Sequence, residues 1–353
     1  MRVCVVASSR FPLAEPFAGG LEAHSHHLVT ELRRRGHEVT VFAAPGSDES
    51  LGAHHLDVQP FASTPTARAD VAAPPEWWMQ EHHAYLSLML DLRDRGVDVI
   101  HNNSLHHLPV ALSRIVDAPV VTTLHTPPLP WLESAVRLAS DRCRFISVSA
   151  AMAESWSPSV ASTVVPNGID PARWTPGPGG DRAVWAGRLV PEKAPHLAIA
   201  AARRAGMGLD LVGPLGDHSY VAEHVLPQLD DQVRHLGHLG QQQLNEVLGR
   251  AAVAVVTPAW DEPFGLVAVE AMASGTPVAA FARGALPEIV DGSSGRLAAP
   301  DDVDGLAAAM REAAGLDRRA VRERVEQAFS LRAMVDSYEG VYRDVVASAS
   351  RAA

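Results

Sequence analysis

Short apolar runs alternate with amphipathic stretches along nearly the whole chain. In the first half the runs fall at 3–7, 38–43, 97–101, 119–125, 145–150 and 163–166, each short and rich in Val, Ile and Thr, and each reads as a strand. Between them, 21–35, 80–95, 105–116 and 132–140 space their apolar residues at the helical period. The second half repeats the plan. Strands are predicted at 183–186, 209–212, 233–236, 253–257, 278–281 and 296–298, and helices at 192–205, 219–229, 242–250, 264–273 and 303–314. Strands apolar on both faces and separated by helices belong to parallel sheets covered on both sides. The expected fold class is therefore α/β, with two Rossmann-like doubly wound domains facing a central cleft.

Pro171, Pro176, Gly177, Pro178, Gly179 and Gly180 crowd a stretch without apolar periodicity that also holds Trp174. This divides the chain into a first domain at 1–172, a linker at 173–181 and a second domain at 182–330. Residues 60–75 form a second Pro-rich stretch, expected as a long loop. In the tail, 331–353, Leu331, Met334, Val335, Tyr338, Tyr342 and Val345 recur at helical spacing, so a terminal amphipathic helix is predicted. Ligands of doubly wound domains bind outside the carboxyl ends of the strands, so function is expected in the loops that follow them.

Composition removes several classes. The chain has 353 residues and a formal net charge of −11, the wrong field for a nucleic-acid partner. No apolar stretch is long enough to span a membrane, the first apolar run is too short for a signal peptide, and no basic amphipathic helix suggests membrane association. Two cysteines, Cys4 and Cys143, make no disulfide framework, so a reduced, cytoplasmic protein is expected. Nothing sets an oligomeric state. Among 30 basic residues Lys193 is the sole lysine.

That lysine lies in Gly187-Arg188-Leu189-Val190-Pro191-Glu192-Lys193, which follows a predicted strand and opens a predicted helix. A guanidinium and an ammonium near a helix N-terminus suit a diphosphate; a solvated basic pair is the plain alternative. The second cluster is Glu262-Pro263-Phe264-Gly265-Leu266-Val267-Ala268-Val269-Glu270. With Pro263 expected at the first helical position, the carboxyls of Glu262 and Glu270 would be separated by about 12 Å of helix rise. That exceeds the roughly 5–9.5 Å of a glycosidase pair, so two separate contacts are expected. Backbone N–H groups of Phe264, Gly265 and Leu266 would point at an anion. Gly19-Gly20 after the first strand permits close backbone approach, and no dinucleotide GxGxxG pattern is present. Twelve of the 17 histidines precede residue 126, without zinc-finger or HExxH spacing. A metal site is not expected, and Asp302-Val303-Asp304 reads as a helix cap.

Taken together, GRLVPEK, EPFGLVAVE, GTPV, GALPEIVDGSSG, VPNGID and the N-terminal GGLE resemble the retaining glycosyltransferases of family 4, of GT-B fold. The resemblance runs from Gly19 to about Gly295. It implies a nucleotide-sugar donor, a UDP-sugar such as UDP-glucose, a small-molecule acceptor held by the first domain, and no cofactor or metal. Arg188 and Lys193 would bind the diphosphate, Glu262 the sugar hydroxyls and Glu270 the ribose. Gly20 and the amides of Phe264, Gly265 and Leu266 would lie against phosphate and sugar, and His125 beside the reacting carbon. The terminal helix would cross back onto the first domain, and the cleft would close on the donor. Ala194 departs from the glycine that many members carry after the lysine. Pro191 to Leu197 and Trp260-Asp261-Glu262 resemble a bacterial subgroup of pterin glucosyltransferases and antibiotic-pathway enzymes. Two alternatives share such a cleft, a sugar-nucleotide 2-epimerase and a non-catalytic nucleotide-sugar-binding protein. The acceptor site is expected in variable loops at 60–78 and 102–107.

Overall fold

A computed structural model describes residues 1–56 and 63–352. Two sheets, parallel throughout, account for its strands. The first holds β1 (Arg2–Val6), β2 (Glu38–Ala43), β3 (His54–His55), β4 (Val99–Asn102), β5 (Val120–Leu124), β6 (Arg144–Ser147) and β7 (Thr163–Val164) in the order β3-β2-β1-β4-β5-β6-β7. The second holds β8 (Ala183–Ala186), β9 (Leu209–Val212), β10 (Val233–His235), β11 (Val253–Val256), β12 (Val278–Phe281) and β13 (Gly295–Ala298) in the order β10-β9-β8-β11-β12-β13. Both orders reverse beside their first strand, which opens a crevice at the carboxyl ends of β1 and β4 and of β8 and β11.

Strand alternation sorts the core into layers. Cys4 and Val6 of β1 pack with Tyr85, Leu88, Met89 and Leu92 of the helix Glu76–Leu92. Val3 and Val5, on the opposite face, pack with Leu28 and Leu32 of the helix Gly20–Arg34 and with Val335, Tyr338 and Tyr342 of the helix Leu331–Ala352. The terminal helix therefore lies on the first sheet. Each of its large buried side chains contributes about 1.5–3 kcal/mol, and Arg35–Asp336 (2.6 Å) and His37–Glu339 (2.9 Å) pin its outer face. The outgoing and returning chains run side by side, joined by Ile169 N–H to Phe329 O (2.9 Å) and Leu331 N–H to Ile169 O (2.7 Å).

Several local expectations need correction. The helix predicted at 192–205 begins at Pro195, because Pro191–Lys193 form a 3-10 turn and Ala194 turns left-handed at φ 45°. The helix predicted at 264–273 begins at Leu266, since Gly265 caps it at φ 95°. Pro263 is thus in the preceding loop, and the helical rise does not reach back to Glu262. Residues 105–116 contain only Leu108–Ala111 as helix, and 219–229 divides into short α, π and 3-10 turns from His218 to Gln228. The helix expected at 80–95 is Glu76–Leu92, and Pro65–Arg68 forms a helical turn within the loop expected at 60–75, of which 60–62 lie outside the described residues. Ala150–Trp156 and Arg318–Ala328 are helices that the pattern did not predict.

Candidate active site

A cavity of about 410 Å³ lies between the two crevices, and Gly20, His125, Arg188, Lys193, Glu262, Phe264, Gly265, Leu266 and Glu270 all line it. Two helix N-termini converge on it. Gly20 starts the first-domain helix and faces Leu266, which starts the second-domain one; a Cβ on Gly20 would lie 3.6 Å from the Leu266 side chain. This is ordinary contact, so the two helix starts lie against one another across the cavity. The positive ends of both helix dipoles favour negative charge between them.

On the second-domain side Lys193 donates to Glu262 Oε2 at 2.6 Å, and its ammonium also lies 5.3 Å from the centroid of the Trp260 ring. Trp260 Nε1 donates to the same carboxylate oxygen at 3.3 Å. Glu262 is held from its backbone: Ala285 N–H donates to its carbonyl at 2.9 Å, and Gly284, at φ 57°, lies so close that a Cβ would collide with the Glu262 backbone. Thr257 Oγ1 donates to the carbonyls of Lys193 (3.1 Å) and Ala194 (3.0 Å), which ties the lysine turn to the end of β11. Arg188 is freer, half-exposed and 3.8 Å from Glu192. Glu270 lies deeper, and burial raises its carboxyl pKa to about 7.

The first-domain side presents buried imidazoles, with Arg10 and Glu22 at its edges. His125 Nε2–H donates to Asn103 Oδ1 at 2.9 Å, which fixes the tautomer and leaves Nδ1 as an acceptor. Burial holds this imidazole well below its ordinary pKa, with smaller contributions from His24 and His101. His24 packs edge-on against it with ring centroids 5.0 Å apart and also against Tyr338 of the terminal helix. His101 bonds Thr123 Oγ1 at 2.8 Å and the Tyr342 hydroxyl, so the wall behind His125 is braced by that helix. Among the described residues no group of three or more His, Cys, Asp or Glu could hold a metal ion; the clustered imidazoles meet ring to ring instead. No described helix is long and apolar enough to cross a membrane.

Sequence reasoning passed over Glu22. Its carboxyl is buried at the cleft, raised in pKa first by burial and lowered by Arg188 across the gap. It was legible only as the last letter of GGLE. Asn103 and Trp260 were also missed as site residues, because each acts through a neighbour, His125 or Glu262. The domains are bridged on both flanks of the cavity. Ser149 Oγ donates to Pro263 O (2.7 Å), and Glu288 accepts from the N–H groups of Ala150 and Ala151 (2.8 and 2.7 Å). On the other flank Gln241 N–H donates to Glu15 Oε2 (3.1 Å).

Comparison with known proteins agrees with this arrangement. Residues 18–173 match the family model described as Glycosyltransferase Family 4, and residues 180–315 match Glycosyl transferases group 1. The chain is 32% identical to a glycogen synthase of Mycobacterium tuberculosis, covering 97% of this chain and 94% of that protein. It is 31% identical to the D-inositol 3-phosphate glycosyltransferase of Mycolicibacterium smegmatis, covering 97% and 92%. Among solved structures, Anabaena Alr3699/HepE in complex with UDP and glucose superposes with a TM-score of 0.75 at 19% identity, over 98% of this chain and all of that one (100%). Both sheets and the cleft between them are thus those of a GT-B protein.

Proposed function

The chain belongs to the family 4 glycosyltransferases, and on that premise we propose that it moves glucose from UDP-glucose to a hydroxyl of a small-molecule acceptor, with retention and without a metal ion. The observation that carries this reading is the meeting of Arg188, Lys193 and two helix N-termini in one cavity with neutral His125 opposite. A departing nucleoside diphosphate develops negative charge, and these groups would stabilise it, the part a divalent cation plays elsewhere. The UDP and glucose in the Anabaena complex support the choice of donor.

In this reading residues 1–172 hold the acceptor and 182–330 the donor, joined by the 173–181 linker. Glu270 takes the ribose hydroxyls, and Arg188 and Lys193 take the diphosphate. Glu262 takes the sugar hydroxyls, with the amides of Phe264, Gly265 and Leu266 against the sugar and phosphate. The Lys193–Glu262 contact puts the cation for phosphate and the acceptor for sugar hydroxyls side by side, where the bond to be broken must lie. The acceptor oxygen attacks the anomeric carbon from the face the diphosphate leaves. The carbon–oxygen bond to phosphate breaks, and the leaving phosphate oxygen takes the acceptor proton. His125 Nδ1 is free to accept a sugar hydroxyl beside that carbon.

The test is to incubate the protein with UDP-glucose and acceptor pools, with and without a chelator, and read the anomeric configuration by NMR. An α-glucoside formed equally in both supports the proposal. A β-glucoside, a chelator-sensitive reaction, or an epimerised donor without transfer overturns it.

A further inference from the structure

The loop that carries Glu262 is gripped from both domains. On its own side Ala285 N–H donates to Glu262 O at 2.9 Å, and the short helix Leu286–Ile289 follows directly. From the first domain Ser149, the residue before the helix Ala150–Trp156, donates its hydroxyl to Pro263 O at 2.7 Å. Ser149 is 2% exposed, and its oxygen also accepts from Met152 N–H at 3.1 Å, which leaves its one proton directed at Pro263. Glu288, on the short helix, accepts from the N–H groups of Ala150 and Ala151 at 2.8 and 2.7 Å. The contacts close a ring that runs from Glu262 to Ala285, from Glu288 to Ala150, and from Ser149 back to Pro263.

Pro263 O and Phe264 N–H belong to one planar peptide, and because that peptide is trans they point in opposite directions. Ser149 stands outside the cavity, whereas Phe264 lines it. Fixing the carbonyl on Ser149 therefore aims the Phe264 N–H back toward the cavity. Among the described residues nothing accepts from that N–H. Phe264 is only 4% exposed, and a buried donor is costly to leave unpaired, so an oxygen of a bound ligand is its natural partner. A carbonyl that accepts a hydrogen bond also polarises its peptide, which strengthens the N–H as a donor. Two residues back, the Glu262 side chain faces the same cavity, so this donor lies at the end of the site assigned to the sugar.

We propose that Ser149, seated by Glu288, is a positioning residue of the donor site: through the Pro263 carbonyl, the first domain aims the Phe264 N–H at an oxygen of the donor's sugar. This rests on the reading of the cavity as a nucleotide-sugar site. Two measurements test it. In the first, carbonyl-labelled proline and nitrogen-labelled phenylalanine mark only Pro–Phe peptides for NMR, of which the chain has three, at 16–17, 60–61 and 263–264. The signal lost in Phe264→Leu is that of the third. Ser149→Ala should move its carbonyl resonance upfield, Ser149→Thr should leave it near the parent's, and UDP-glucose rather than UDP should move the amide proton downfield. In the second, calorimetry compares UDP-glucose with UDP. Ser149→Ala and Glu288→Ala should each weaken UDP-glucose by about fivefold, the net worth of one hydrogen bond, and leave UDP nearly unchanged. Both changes together should cost less than the two losses multiplied, because they break one ring of contacts. Equal weakening of UDP and UDP-glucose, or a loss that Ser149→Thr shares, overturns the proposal. Unmoved resonances in Ser149→Ala beside normal UDP-glucose binding by the parent overturn it alone. Failure of the parent to bind UDP-glucose overturns the donor reading together with it.

Discussion

The side chains that face the cavity from the second domain include Arg188, Lys193, Glu262 and Glu270, all ionisable; those from the first include His27 and His125, with His24 and His101 behind them, imidazoles that burial keeps neutral. The two walls are also built differently. Turns made possible by Gly265 and Gly284 and a left-handed Ala194 set the charged groups, whereas helix packing and ring contacts set the neutral ones. The difference suits the two halves of a transfer. Charge belongs where a diphosphate departs, and a neutral imidazole can exchange hydrogen bonds with hydroxyls without competing for that diphosphate. Glu22, the buried carboxyl on the first wall, faces Arg188 and so belongs electrically to the other side.

Removing the central cation of the charged wall tests this contrast most severely. Lys193→Ala should lower kcat/KM for UDP-glucose by about 10²–10³-fold, the scale of one preorganised charge-stabilising donor. It also strands the Glu262 carboxylate, whose side chain is only 10% exposed. Lys193→Ala with Glu262→Gln should therefore cost less than the two single losses multiplied. Lys193→Arg asks whether a compact ammonium is needed between Glu262 and Trp260, and a loss smaller than that of alanine is expected. Full activity in Lys193→Ala would end the idea of a charged wall that works.

The neutral wall is tested by acid. Burial is the leading cause that lowers His24 to about 4 and His27, His101 and His106 to about 3. Below the ordinary value of 6.5 the unfolded chain takes protons that these folded sites refuse. Their contribution is therefore whole above 6.5 and is lost as pH falls toward the folded values. Each such histidine adds ~1.4 kcal/mol per pH unit to that slope. The urea midpoint should fall steeply between about pH 6.5 and 5, and His101→Gln should reduce proton uptake on unfolding by about one. A midpoint flat across that window would contradict the neutral wall.

How much of this could be read beforehand follows from the same contrast. The charged wall was legible because each of its parts is local: a strand, then GRLVPEK; a strand, then EPFGLVAVE. Even there the helix starts were misplaced by two or three residues, since left-handed Gly265 and Ala194 end the preceding turns in ways that periodicity does not register. The doubly wound plan was legible for the same local reason. The neutral wall was not. Asn103 finds His125, and His101 finds Tyr342, only because β4 lies beside β5 and the terminal helix folds back. No spacing along the chain encodes those meetings; apart from His125, which the family resemblance set beside the reacting carbon, the histidines before residue 126 showed only that they lack metal-binding spacing.

Glu270 sets the opposite sign within the same pH range. Burial raises it to about 7, so the folded protein holds a proton between 4.5 and 7 that the unfolded chain releases. Its contribution is whole below 4.5 and falls as pH rises through 7. Glu270→Gln should therefore raise Tm above that of the parent at pH 8, by about 2 °C or more, and leave it nearly unchanged at pH 4.5. The same substitution should weaken UDP binding if the carboxylate takes the ribose. A lowered Tm at pH 8 would show that the charged form is held by partners rather than tolerated.

The smallest effect concerns the backbone that carries the lysine. Ala194 is fully buried and left-handed at φ 45°, ψ 54°, between the Lys193 turn and the helix Pro195–Ala205. An L-residue there costs roughly 1–2 kcal/mol. Ala194→Gly removes that cost but loses about 0.8 kcal/mol of methyl burial and about 0.4–1 kcal/mol through the freer unfolded chain. The terms nearly cancel, so stability should change by less than about 1 kcal/mol. The same change at Ala202, buried in the right-handed interior of the next helix, has no strain to relieve and should cost about 2 kcal/mol. Urea unfolding of the two variants separates them. Equal losses would mean that the turn is unstrained, and that Lys193 is positioned by its carboxylate and indole partners alone.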